Sequence, residues 1–185
     1  SSAASDVYKR QIWFQNHRSH DENAVCHVLN SELPAVRLKE LIAELRRTES
    51  LILVSGPGAV SLCREQNLDG VVAEINVDAP YKKQILPLRE ALGHKKVLGV
   101  VIPLSRHAAM IVGETEPEFV AFRVDSAEET EKAEELLAWY NELFLIQAAV
   151  CGKADSSVLT GLDADFVMIS PRNFKILVAK KESLD

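Results

Sequence analysis

The chain has 185 residues, 47% of them hydrophobic, enough for one domain with a full core. Its 21 Lys+Arg against 27 Asp+Glu leave a net charge of −6, which argues against a nucleic-acid partner, because phosphate contacts need a clustered basic face. No apolar run reaches the ~20 residues needed to span a bilayer, so no membrane partner is expected. Cys26, Cys63 and Cys151 are odd in number and widely spaced, and read as buried free thiols of a cytoplasmic protein.

Residues 1–21 read as a leader or N-terminal arm, and residues 22–185 as the folded domain. The stretch from Tyr8 to His20 is expected to be one helix or an irregular arm. Within it, Trp13-Phe14-Gln15-Asn16-His17-Arg18 looks like a homeodomain recognition helix. That module needs two earlier helices, for which there is no room, so a surface helix with a buried Trp/Phe edge is expected instead. His17, His20 and Asp21 outline a metal site but are read as solvated.

From Ala24 onward, short apolar, β-branched runs alternate with amphipathic stretches. The runs are Val25–Leu29, Leu51–Val54, Gly70–Ile75, Val97–Ile102, Phe119–Val124, Leu145–Val150 and Phe166–Ile169. Their nearly continuous hydrophobicity predicts parallel strands covered on both faces. Between them, Pro34 suits a first helical turn, with Leu38, Leu41, Ile42 and Leu45 on one face. Asp78-Ala79-Pro80 introduces a helix that Gly93 ends, with Asp78 as its cap. Ser126 and Glu129 form a capping box ahead of Ala133, Leu136, Leu137 and Tyr140. A last helix is expected over Phe174–Lys181.

A weak internal repeat runs through the strands. An acidic residue stands just before three of them, at Asp69, Glu118 and Asp165, each two βα units from the next. Even strand spacing favours a barrel over an open, flavodoxin-like sheet. The expected fold is therefore α/β, a TIM-type (β/α)8 barrel left incomplete at about seven parallel strands, the first strand missing or replaced. Two unpaired edges would then invite pairing with another chain, so a homodimer is expected as one outcome.

In such a barrel the strand ends gather into one mouth. Glu74, Asn76 and Asp78 follow one strand on that face, and Glu74 and Asp78 are candidate ligands for a divalent cation. His107, at a helix start on the same side, is a candidate acid or base, with capping or packing as its plainer role. Ser55-Gly56-Pro57-Gly58 lacks the lysine of a Walker loop and reads as a tight turn.

The strand ends run, in order, Leu51-Ile52-Leu53 with Leu68-Asp69-Gly70-Val71-Val72, Leu98-Gly99-Val100 with Ser105-Arg106-His107, Glu118-Phe119-Val120-Ala121-Phe122, Ala148-Ala149-Val150-Cys151-Gly152, and Ala164-Asp165-Phe166-Val167-Met168-Ile169-Ser170. As an ordered set they resemble the thiamine-phosphate synthase and TenI-like family. The resemblance spans Ala24 to Ser170. It implies thiamine biosynthesis: joining of hydroxymethylpyrimidine diphosphate to thiazole phosphate, with Mg²⁺ as cofactor if the protein is active. It also implies a small phosphorylated ligand held by Ser105, Gly152 and Ser170. This sequence departs from the family where that chemistry needs cations and metal. Val28-Leu29-Asn30 replaces the family's Gln-x-Arg-x-Lys, Val54-Ser55 replaces its Asn-Asp, and Arg123-Val124-Asp125 replaces its Thr-x-Thr-Lys loop. The expectation is a divergent thiamine-phosphate synthase-like protein. The alternatives are a catalytically inactive TenI-like binding or regulatory protein, or another phosphate-binding isomerase or epimerase.

Overall fold

Strands that are apolar on both faces are stable only when each face is covered, and this chain covers them by closing the sheet on itself. The structure, a computed structural model, describes residues 11–15 and 26–170. Its strands are β1 (Gln11–Gln15), β2 (Cys26–Asn30), β3 (Leu51–Ser55), β4 (Gly70–Glu74), β5 (Val97–Ile102), β6 (Phe119–Arg123), β7 (Gln147–Cys151) and β8 (Phe166–Ile169). Helices α1 (Ala35–Leu45), α2 (Ala59–Glu65), α3 (Tyr81–Leu92), α4 (Arg106–Gly113), α5 (Thr130–Leu143) and α6 (Ser156–Gly161) fill the crossovers, with a 3₁₀ turn (Ala127–Glu129) ahead of α5. All neighbours are parallel, in sequence order, and β1 pairs with both β2 and β8 to complete a TIM-type barrel.

The seven expected strands are thus present as β2 to β8, and the place left for a first strand is taken by Gln11–Gln15. This corrects one expectation. Within the stretch read as one helix or an irregular arm, these five residues are a strand, because two waiting edges offer its backbone hydrogen bonds on both sides. The TIM-type reading of seven parallel strands stands, in the form with the first strand replaced, and the replacement joins β2 to β8. His17, His20, Asp21 and the helix expected over Phe174–Lys181 lie outside the described residues. Among the described residues no helix is long and apolar enough to cross a membrane.

Two cores result from the period of two along each strand. Outward-facing residues such as Leu29, Val54, Val71, Val120 and Val167 pack under the helices, meeting Leu38, Leu41, Ile42 and Leu45 of α1 at the spacing read from sequence. Inward-facing residues, among them Val28, Leu53, Val72, Phe119, Phe166 and Met168, fill the barrel itself. Phe119 and Phe166 meet edge-on there at 5.9 Å. They fit because the neighbouring inward position is Gly99, where a Cβ would lie 2.0 Å from the Phe119 ring.

The acidic repeat has a structural meaning. Asp69 accepts the Ile52 backbone N–H at 2.8 Å, Glu118 that of Leu98 at 2.8 Å, and Asp165 that of Ala148 at 2.8 Å. Each of these residues also donates its own backbone N–H to the carbonyl of the same partner. Every even-numbered strand from β4 onward is therefore clamped to the start of the strand before it, at the closed end of the barrel. Glu118 in addition takes both prongs of Arg89, at 2.7 and 2.8 Å.

Two caps differ from expectation. Asp78 does not cap α3, which starts beyond Pro80 without a side-chain cap. Gln84 instead reaches back to hold the loop through the N–H and carbonyl of Asn76. The capping box forms by half: Ser126 makes no capping bond, and Glu129 accepts from Asp125 N–H at 3.0 Å. The intervening 3₁₀ turn shifts the geometry by one residue.

All three cysteines are buried and free. Burial raises the Cys26, Cys63 and Cys151 thiols above their ordinary value of 9.0, Cys151 to about 12. The folded state therefore prefers the protonated thiol. Its stabilising contribution is complete below pH 9 and is lost as pH rises through the folded values.

Three outcomes are expected. Asp69→Ala should destabilise the fold by about 1–2 kcal/mol in urea unfolding through loss of a charge-assisted bond, while Asp163→Ala, whose side chain clamps no strand, should have little effect. Gly99→Ala should cost about 1–3 kcal/mol by overpacking, partly recovered on adding Phe119→Leu. Stability should fall between pH 9 and about 12, and less steeply in a Cys26→Ala/Cys151→Ala variant.

Candidate functional site at the barrel mouth

The inward alternation that fills the barrel with apolar side chains turns polar at its last step. After Val28 comes Asn30, after Leu53 Ser55, after Val72 Glu74, and after Phe119 and Ala121 comes Arg123. These strand ends carry the polar groups above an apolar floor of Val28, Val72, Val101 and Met168.

The mouth has two lobes that share Ser55, Val72 and Glu74. One, of about 350 Å³, opens toward β6 and β7 and is bordered by Arg123, Asp125, Gly152 and Lys153. The other, of about 500 Å³, is bordered at the strand ends by Asn30, Glu32, Gly56 and Gly58 and extends outward over Val71 and Ala73 of β4 to Ala59 of α2 and Leu88 of α3. Volumes of this size suit a small organic molecule.

An Arg123–Glu74 ion pair crosses the divide between the lobes. Burial would lower the Arg123 guanidinium, but its hydrogen bond to Glu74 and that carboxylate's charge outweigh this and hold it above its ordinary value. The two side chains are 42% and 55% exposed, so solvent screens the pair and a ligand can open it at modest cost.

Beside it, the loops after β6 and β7 are sewn together. Val124 N–H donates to the Cys151 carbonyl at 2.8 Å, Ala154 N–H to the Val124 carbonyl at 3.1 Å, and Lys153 N–H to the Asp125 carboxylate at 3.1 Å. Gly152 makes this possible at φ +118°, where a Cβ would sit 2.3 Å from the Val124 carbonyl oxygen. Asp125 is thereby fixed at the rim.

The residues singled out from sequence all lie at this end of the barrel, but they do not form one site. Gly152 borders the smaller lobe, and the amides of the two residues after it are engaged by Asp125 and Val124. Ser170 directly follows β8, half-buried and in step with inward-facing Phe166 and Met168. Ser105 caps α4, its hydroxyl accepting from Ala108 N–H at 3.1 Å. His107 is exposed on α4, with its ring 6.3 Å from that of Tyr81, and borders neither lobe. Asp78 sits on the exposed loop after β4, its N–H turned to Asn76 at 3.0 Å. Glu74 is central, but as the partner of Arg123. Sequence reasoning noticed Arg123 only in passing and missed Asp125 and Lys153 as site residues. Continuing the alternation Phe119, Ala121, Arg123 to the end of the strand would have found the first.

This donor set does not fit Mg²⁺. Ser55 stands where the resembled family has aspartate, Glu74 is matched by a guanidinium, and Asp125 is matched by a backbone amide. Among the described residues no three His, Cys, Asp or Glu side chains are grouped to hold a metal. Burial pushes the Cys151 thiol up to about 12 although Arg123 pulls the other way, which disfavours the thiolate there. What the mouth offers is charge of both signs over an apolar floor.

No protein-family model matches the chain, and no curated protein matches it. Solved structures do. Thiamine phosphate pyrophosphorylase from Pyrococcus furiosus is 12% identical, with TM-score 0.66 over 95% of this chain and 98% of that one. The tryptophan synthase complex of Pyrococcus furiosus is 13% identical, with TM-score 0.64 over 95% of this chain and 97% of that one. (S)-3-O-geranylgeranylglyceryl phosphate synthase from Thermoplasma acidophilum, solved with its substrate sn-glycerol-1-phosphate, is 12% identical, with TM-score 0.60 over 98% and 96% of the two chains. At these identities the likeness establishes the architecture, a parallel βα barrel, and no more.

Proposed function

We propose that this protein is a divergent thiamine-phosphate synthase-like barrel that binds a small phosphorylated molecule in its mouth without carrying out the synthase reaction. The observation that carries this reading is Arg123. It is a fixed cation at the end of β6, joined in the same 350 Å³ lobe by Lys153 and set over an apolar floor. A guanidinium so placed is suited to a phosphate, which it can grip with two parallel bonds. Two of the similar structures carry a phosphate compound in their names, which supports the class of ligand. Among the described residues the mouth carboxylates Glu74 and Asp125 are engaged by Arg123 and by the Lys153 amide rather than grouped for Mg²⁺, which favours binding over turnover. Three reduced thiols suit a cytoplasmic setting.

Thiazole phosphate, the smaller thiamine precursor, is the first ligand to try. Calorimetry should show it and inorganic phosphate binding without added Mg²⁺. Arg123→Met should weaken both about 10- to 100-fold, in line with the loss of a charge-assisted bond. Binding that is unaffected by Arg123→Met, or absent for every phosphate compound, overturns the proposal. Product formation from both thiamine precursors with Mg²⁺ would instead restore the synthase reading.

A further inference from the structure

The distribution of charge between the two lobes says more about the ligand than the presence of Arg123 does. Both basic residues of the mouth, Arg123 and Lys153, border the smaller lobe. The larger lobe is bordered by Glu32 and Glu74 and by no lysine or arginine among the described residues. Its other polar side chains are the neutral Asn30, Ser55 and Ser61. The smaller lobe thus holds both cations, beside Asp125 and Glu74, while the charged residues of the larger lobe are carboxylates alone, with Glu74 common to both.

The ion pair at the divide sharpens this. A phosphate that takes the Nη1 side of Arg123 takes it from Glu74. A ligand bearing only phosphate would leave that carboxylate without its partner, facing a new negative charge from the end of a β-strand. Asp125 could not retreat either, because the Lys153 amide and the Gly152 turn hold it. A ligand that brings its own cation avoids the penalty at Glu74: its phosphate replaces Glu74 on Arg123, and its cation replaces Arg123 on Glu74. One ion pair is exchanged for two, and every charge keeps a partner.

We infer that the ligand is a phosphate monoester of a small amine, its phosphate in the Arg123–Lys153 lobe and its ammonium group against Glu74 in the Glu32 lobe. The inference rests on the phosphorylated-ligand reading above and names the ligand's second charge. It makes Glu74 a specificity-determining residue rather than a metal ligand.

Matched pairs of soluble esters test it: 2-aminoethyl phosphate against ethyl phosphate, and 3-aminopropyl phosphate against propyl phosphate, by calorimetry on the full chain. At least one aminoalkyl ester should bind tenfold or more tightly than its amine-free match. Glu74→Gln should erase that preference while leaving the alkyl phosphate bound as well as before or better. Arg123→Met should weaken both members of each pair. Equal affinity within both pairs, or a preference that survives Glu74→Gln, overturns the inference and leaves the phosphate reading standing. Failure of all four esters and of inorganic phosphate to bind overturns both.

Discussion

Register is the constraint on which this molecule depends. In a barrel of parallel strands, sliding one strand by a single residue exchanges its inner and outer faces. On β6 that would bring Phe122 inside and turn Arg123 out toward the helices. The chain guards against this at the closed end with Asp69, Glu118 and Asp165. Each accepts a backbone N–H at the start of the preceding strand and returns its own N–H to the same residue. The clamp is two-sided, so a slip would break both bonds. Register set at one end of the barrel decides which side chains arrive at the other.

What arrives is a mouth unlike the one the family resemblance implied. The resemblance pointed to Ser105, Gly152 and Ser170 as phosphate groups, and each also has a local structural reason to be what it is or where it is. Ser105 caps a helix, Gly152 permits a close approach of two loops, and Ser170 continues an inward row. The charged groups that meet in the cavity are others: Glu74, Arg123, Asp125 and Lys153. Together they form a balanced set of opposite charges. The fold, shared at 12–13% identity with these solved structures, does not by itself fix the charges at the mouth.

The first strand shows where local pattern misleads. Gln11-Ile12-Trp13-Phe14-Gln15 is too short and too mixed to announce a strand, and its aromatic pair suits a helix edge equally well. Its conformation comes from outside it. Strands β2 and β8 present open rows of backbone donors and acceptors, and a short segment between them satisfies both. The helix caps failed for a related reason. Asp78 and Ser126 are good capping residues, but loop geometry gave the work to Gln84 and Glu129.

Much was nonetheless legible from the chain alone. Seven buried strands, the amphipathic α1 and α5 faces and the two-unit acidic repeat could all be read, because burial on both faces and helical spacing are written in neighbouring residues. The parallel barrel followed from their even spacing. The meaning of the acidic repeat did not, since its partners lie 17 or 20 residues away. Closure by β1, the Arg123–Glu74 pair and the gathering of both cations into one lobe of the mouth likewise join residues far apart in sequence. Such pairings exist only once the strands are side by side, in a register that no single strand specifies.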